Sequence, residues 1–283
     1  MHMPSIRSNH LKAKLHAGGT AFGTWIVMNR NPAIVRIAAA SGFDFVFIDA
    51  EHGDFSWETV ASLCDMARAS DLVPIVRPSE ANPFLTNRIQ DLGAMGLMYH
   101  DVRSRELVTG MLSAMRYPPD GNRGLTSFGA SMDYLGGPGD EVRRISDENS
   151  MLIIQIESRA GVENIDQILD GGGVDLVEIG RGDLSMSLGV PMEPKHARVV
   201  RAIEYLVERS ERHGVAVGVN CISIEDGVEM LDLGVRCISF SSDRRILQSA
   251  YSQAARALAG HTPASAAAGA GLSSSASGRI ENG

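Results

Sequence analysis

Eight short apolar runs recur along the chain, each followed by a stretch of helical character, and this alternation narrows the fold more than any other feature. The runs are FGTWIV (22–27), FVFIDA (45–50), VPIVRP (73–78), GLMYHD (96–101), MLIIQIES (151–158), LVEIGRGD (176–183), VAVGVNC (215–221) and CISFSS (237–242). Most are nearly continuous apolar stretches, as parallel strands buried on both faces require. Between them lie helical segments such as WETVASLCDMARAS (57–70) and KHARVVRAIEYLVERSERHG (195–214), the latter closing on basic residues and a glycine. Eight βα units in one chain of 283 residues predict an α/β fold of the closed (β/α)8 TIM-barrel type. An open doubly wound sheet would need a glycine-rich phosphate turn after the first strand, and WIVMNRNP has none.

The expected domain is one barrel over residues 1–260, opened by a short helix within 6–16 and followed by an Ala/Ser/Gly-rich tail, 261–283, too poor in apolar residues to fold. A glycine-rich stretch, RYPPDGNRGLTSFGASMDYLGGPGDEVRR (116–144), reads as a functional lid because loops of this length in compact domains usually serve function. The net charge of −8 argues against nucleic acid or an anionic membrane as partner, and leaves an anionic small molecule open. Cys64, Cys221 and Cys237 form no CxxC pair, which suggests a reducing compartment without disulfides. No run approaches the ~20 apolar residues of a membrane span, and the N-terminus lacks the apolar core of a secretory signal. A cytoplasmic location is the expectation.

In such barrels the chemistry lies at the carboxyl ends of the strands. Asp49, Glu51 and His52 follow the second run, Arg77 ends the third, and His100 and Asp101 end the fourth. Glu157 ends the fifth, Asp183 the sixth and Asn220 the seventh. Glu157 and Asp183, on adjacent strands, suit a hard divalent ion such as Mg2+ or Mn2+; each could instead pair with Arg159 or Arg181. His52 after DAE suits a general base and equally a hydrogen-bonded helix-entry residue. Arg77 could bind a developing enolate oxygen or form an ion pair with Asp49 or Asp91. The only lysines, Lys12, Lys14 and Lys195, lie off the barrel strands, which argues against Schiff-base chemistry. There is no GxSxG, Walker loop or HExxH.

Taken together, GFDFVFIDAEHG (42–53), VRP (76–78), RYPPDGNRG (116–124), IQIES (154–158) and IGRGDLS (179–185) resemble the HpcH/HpaI class II aldolases, the 4-hydroxy-2-oxoacid and 2-keto-3-deoxy-sugar-acid aldolase branch, over about 22–258. The resemblance implies a carbon–carbon lyase that cleaves a 4-hydroxy-2-oxo acid to pyruvate and an aldehyde. It implies that Glu157 and Asp183 hold Mg2+ or Mn2+, with Co2+ also possible, and that pyruvate chelates the ion. Backbone amides at Gly182 and Asp183 would take the carboxylate, Arg77 the enolate oxygen, and His52, oriented by Asp49, the proton. Asp91 would act near a site across a subunit boundary. A homohexamer with an exchanged C-terminal helix is also implied.

The sequence departs from that pattern in places. His100 stands where the family has proline, Arg181 where it has another proline, and Asn220 where it has an aliphatic residue. A glycine near the end of the eighth run is replaced in SFSSD (239–243). These changes make the pocket more polar and suggest a different second substrate. Arg181 would suit a substrate carboxylate, and His100 a second acid or base; local pairing of His100 with Asp101, or of Arg181 with Glu178, is the alternative. Two other readings stand beside the aldolase. One is citrate-synthase-like condensation of oxaloacetate with acetyl-CoA in a siderophore pathway, and the other is a non-catalytic barrel that binds a 2-oxo acid. Oxaloacetate decarboxylation would use the same enolate chemistry.

Overall fold

A computed structural model describes residues 6–261. The chain forms two compact units, Met1–Arg244 and Arg245–Gly283. The strands are β1 (Ala21–Ile26), β2 (Phe45–Asp49), β3 (Val73–Arg77), β4 (Gly96–Tyr99), β5 (Met151–Ile156), β6 (Leu176–Ile179), β7 (Ala216–Cys221) and β8 (Cys237–Ser242). All pair in parallel in chain order, and β8 closes onto β1. The expected closed α/β barrel is therefore the fold. The helices are α1 (His10–His16), α2 (Ala33–Ala40), α3 (Trp57–Ala69), α4 (Pro83–Asp91), α5 (Arg105–Met115), α6 (Gly139–Asn149), α7 (Arg159–Glu163), α8 (Ile165–Leu169), α9 (Arg181–Ser187), α10 (Ala197–Arg212), α11 (Ile224–Asp232) and α12 (Asp243–Ala259). No helix of the described residues is long and apolar enough to cross a membrane.

The period of two along each strand sorts its apolar residues between two cores. Val46, Ile48, Val76, Leu97, Ile154 and Val177 face the helices. Phe45, Phe47, Ile75, Met98, Ile153 and Leu176 fill the barrel. Leu11 and Leu15 of α1 join that inner core. Asn9, capping α1, donates its side-chain amide to the carbonyls of Met95 (3.0 Å) and Asn149 (2.8 Å), so α1 plugs the amino-terminal end. At the other end helices start under side-chain caps: Ser56 for α3, Asn82 with Pro83 for α4, Ser158 for α7 and Ser223 for α11.

Three expectations change. Residues 181–183 are not strand; β6 ends at Ile179 and α9 begins at Arg181. The 116–144 stretch is no lid over its own mouth. It follows α5, which returns the chain to the amino-terminal end, and there Asp133 is held by Arg7 Nη1 (2.7 Å) and Arg68 Nη2 (2.9 Å). Asp91, the last residue of α4, sits at that same end, paired with Arg123 (2.8 Å), and so lies away from the mouth of its own chain. Cys64, Cys221 and Cys237 are free and buried. The expected 261–283 tail lies almost wholly outside the described residues.

Candidate active site

Arg77 is the hub of the barrel mouth. Its buried guanidinium donates from Nε and Nη2 to the two carboxylate oxygens of Asp49 (3.0 and 2.7 Å) and lies over the Trp25 ring, 4.7 Å from the centroid. A two-pronged bond of this kind fixes the planar group in orientation as well as position. Asp49 Oδ1 also accepts from the backbone amides of Glu51 (3.1 Å) and His52 (3.2 Å). The contact of Asp49 with His52 is thus to its backbone, and Asp49 does not orient the imidazole as the resemblance implied. The carboxylate beside that imidazole is Glu51, with Oε1 3.7 Å from His52 Nε2. Glu51 Oε2 lies 3.1 Å from Arg77 Nε, an ion pair without an aligned hydrogen bond.

Gln155 joins the halves of the site. Its Oε1 accepts from Arg77 Nη1 (3.4 Å) and its Nε2 donates to Glu157 Oε2. Glu157 and Asp183 have no Arg or Lys partner among the described residues; Arg159 and Arg181 do not pair with them. Burial, and then the charge of Asp183, push the Glu157 carboxyl up to about 7. A buried carboxylate raised by a neighbouring one, with no Arg or Lys salt bridge to either among the described residues, offers hard oxygen donors of the kind a divalent ion would satisfy. Among the described residues no group of three or more His, Cys, Asp or Glu is placed to hold an ion. Asp183 and Gly182 are exposed in the first turn of α9, where amides lack partners within the helix.

His100 ends beside β4 with Nε2 3.3 Å from the Ser79 carbonyl and 3.6 Å from Glu51 Oε1. Both neighbours accept, so Nε2 is the ring nitrogen that donates. Its expected pairing with Asp101 is not formed; Asp101 binds Arg103. Arg181 is not a free ligand for a substrate carboxylate. It is buried, donates to both oxygens of Asp226 (Nη1 to Oδ1, 2.8 Å), and reaches the Asn220 carbonyl (2.6 Å). The side-chain amide of Asn220 donates to Ser239 O (2.9 Å) and Ser241 O (3.2 Å), which leaves its Oδ1 to accept.

Sequence reasoning gave no catalytic role to Glu51, Gln155 or Glu178 and named Glu178 only as a pairing partner for Arg181, which instead pairs with Asp226. Glu178 is buried inside the barrel on β6, beside Gln155 of β5 and Gly218 of β7 in register. Burial pushes its carboxyl up to about 8, against the pull of Arg181 and Arg77. The alternation of β5, with Ile153, Gln155 and Glu157 on one face, was the available signal for Gln155. Glu178 carried the same signal as a charged residue inside an apolar run.

With this geometry in place, comparison with known proteins is informative. A sequence model of the HpcH/HpaI aldolase/citrate lyase family matches residues 22–250. The 2-keto-3-deoxy-L-rhamnonate aldolase of Escherichia coli strain K12 is 30% identical over 251 residues, covering 89% of this chain and 93% of that one. The crystal structure of an HpcH/HpaI aldolase from Desulfitobacterium hafniense DCB-2 superposes with a TM-score of 0.85 at 28% identity, covering 89% and 97% of the two chains. That of the citrate synthase SbnG superposes with 0.76 at 30% identity, covering 88% and 96%. Fold, barrel mouth and sequence agree: the chain belongs to the HpcH/HpaI aldolase/citrate lyase family.

Proposed function

We propose that this chain is a metal-dependent lyase that cleaves a 4-hydroxy-2-oxo acid into pyruvate and an aldehyde, and runs the reverse condensation. The observation that carries the reading is the pair Glu157 and Asp183, without an Arg or Lys salt bridge among the described residues, next to an Arg77 fixed by Asp49 and Gln155. Glu157 and Asp183 would hold the divalent ion, Mg2+ or Mn2+, with Co2+ also accepted. When bound, the ion supplies Lewis-acid stabilisation of the negative charge that develops on the 2-oxo group.

The chain's own groups do the rest. The first-turn amides of Gly182 and Asp183 take the substrate carboxylate. Arg77 Nη1, whose partner in the chain is Gln155 at a long 3.4 Å, has a second hydrogen to donate to the enolate oxygen. His52, with its side chain 66% exposed and Glu51 Oε1 3.7 Å from its Nε2, stands where it can exchange protons with substrate or water. In cleavage the C4 hydroxyl gives up its proton and the C3–C4 bond breaks. Its electron pair passes into the enolate, and a proton returned at C3 completes pyruvate. Asp49 serves by locking Arg77 and the turn carrying His52. Asn220 Oδ1, and His100 Nδ1 when the ring is neutral, offer acceptors to a hydroxylated aldehyde. Asp91 serves a neighbouring copy in a homohexamer, and the protein works on small molecules in the cytoplasm.

Pyruvate in D2O tests this without knowledge of the aldehyde. Loss of the methyl proton NMR signal with Mg2+, abolished by EDTA and by Glu157→Ala, and reduced by at least about a hundredfold in His52→Ala, is the expected result. No exchange in the Mg2+-loaded protein would sink the reading.

A further inference from the structure

Glu178 is a carboxyl group with no work in the reaction as written. It is 2% exposed, and among the described residues neither oxygen accepts from a backbone amide or a charged side chain. The Ser239 hydroxyl beside it accepts from Trp25 Nε1 (2.9 Å) and Asn220 Nδ2 (3.2 Å), and its own proton is shared between Glu178 and the Val219 carbonyl (3.5 Å). The barrel nevertheless makes room for it: a Cβ on Gly218 would stand 2.3 Å from Glu178 Oε2. An ionised carboxylate in such a place is costly, whereas the acid form is tolerated.

We propose that Glu178 is a positioning residue whose bound proton leaves Arg77 its positive charge for the enolate. This rests on the enolate reading above. Two guanidiniums act on Glu178: Arg77 of β3 and Arg181 of α9. Neither has charge to spare. Arg181 is matched by Asp226, and Arg77 already faces both Asp49 and Glu51. An ionised Glu178 would add a further anion inside the barrel, where screening is weak. The ligand brings a carboxylate and then an enolate oxygen, so the extra anion opposes both binding and charge development. Gln155, the register partner of Glu178, bridges Arg77 to Glu157, so the disturbance reaches both halves of the site. The other titratable groups coupled to Glu178 are thiols, Cys221 of β7 and Cys237 of β8. Burial pushes Cys221 up to about 12 and Cys237 well up, so neither ionises in the range concerned.

The test is the pH dependence of pyruvate methyl exchange with saturating Mg2+ in the wild type and in Glu178→Gln, which has the shape of the neutral acid. The wild-type rate should fall at least about fivefold between about pH 7 and about pH 9.5, while Glu178→Gln stays within about twofold over that range. Infrared spectra supply a readout independent of turnover. With saturating Mg2+, which would keep Glu157 ionised, the carbonyl stretch of an un-ionised carboxyl should be present in the wild type at neutral pH and weaker by one group in Glu178→Gln. A flat wild-type profile, an alkaline fall that survives in Glu178→Gln, or absence of the acid band each overturns the inference. No exchange at any pH with the acid band present overturns the enolate reading, and the role of Glu178 with it.

Discussion

Gly180 leaves no space for a side chain where the two halves of the site meet. A Cβ there would fall 2.5 Å from Glu157 Oε2 and 2.6 Å from Gln155 Nε2. Its backbone, at φ −80°, is open to any residue, so the requirement is for room and not for conformation. Gly180→Ala should therefore fold normally and displace the Glu157 carboxylate. The expected loss in Mn2+ affinity is about 10–100-fold, the range for groups that orient a ligand, read by electron paramagnetic resonance of free Mn2+ beside an unchanged circular dichroism spectrum. Unaltered affinity would mean that Glu157 is not a ligand. The residue scale is also where the sequence was hardest to read. The resemblance implied that Asp49 serves His52, yet the Asp49 carboxylate caps the turn and grips Arg77, and Glu51 is the acid beside the imidazole. Spacing along a chain does not say which way a side chain turns after a strand ends.

Strands announced themselves because burial on both faces leaves short, nearly continuous apolar runs. The end of β6 did not, because GRGD lies in one line with LVEI although the helix starts at Arg181. The long 116–144 stretch was misread for a topological reason. Length and glycine content mark irregular backbone, but the order helix, loop, strand places it at the amino-terminal end, and that order was present in the sequence. The ion pair that ties α9 to α11 is the element-level feature that sequence reasoning took for substrate recognition. Arg181 opens α9 two residues before Asp183, and Asp226 in α11 holds it through two hydrogen bonds and an adjacent carbonyl contact. Asp226→Ala would leave that guanidinium buried and unpaired, at a cost of about 3–5 kcal/mol in urea unfolding with little change in the slope. Arg181→Met with Asp226→Leu should regain most of it, because apolar groups of similar volume need no partner. A loss in Asp226→Ala below about 1 kcal/mol would show that water reaches the pair and that the clamp is weak.

At the scale of the whole molecule, one chain leaves Asp91 in the wrong place for chemistry. It lies at the amino-terminal end of the barrel, tied to Arg123, while Arg77, Glu157 and Asp183 lie at the carboxyl end. Beside it the 116–138 segment exposes Leu125, Phe128 and Tyr134, with the Phe128 and Tyr134 rings packed edge to face at 6.3 Å. Asp133 at the base of this segment is pinned by Arg7 and Arg68, so the apolar side chains are presented on a fixed frame. Exposed apolar clusters on a rigid support are what subunit interfaces use. If Asp91 works at a catalytic mouth, that mouth belongs to another copy. Sedimentation should then give a mass that is a multiple of 30.3 kDa. Phe128→Glu, a change at an exposed ring with little effect on folding, should move that mass towards the single chain and reduce pyruvate exchange together with it. Asp91→Asn should reduce exchange and leave the mass unchanged. A single chain of 30.3 kDa with full exchange activity would remove Asp91 from the mechanism and leave its pair with Arg123 as a purely structural contact.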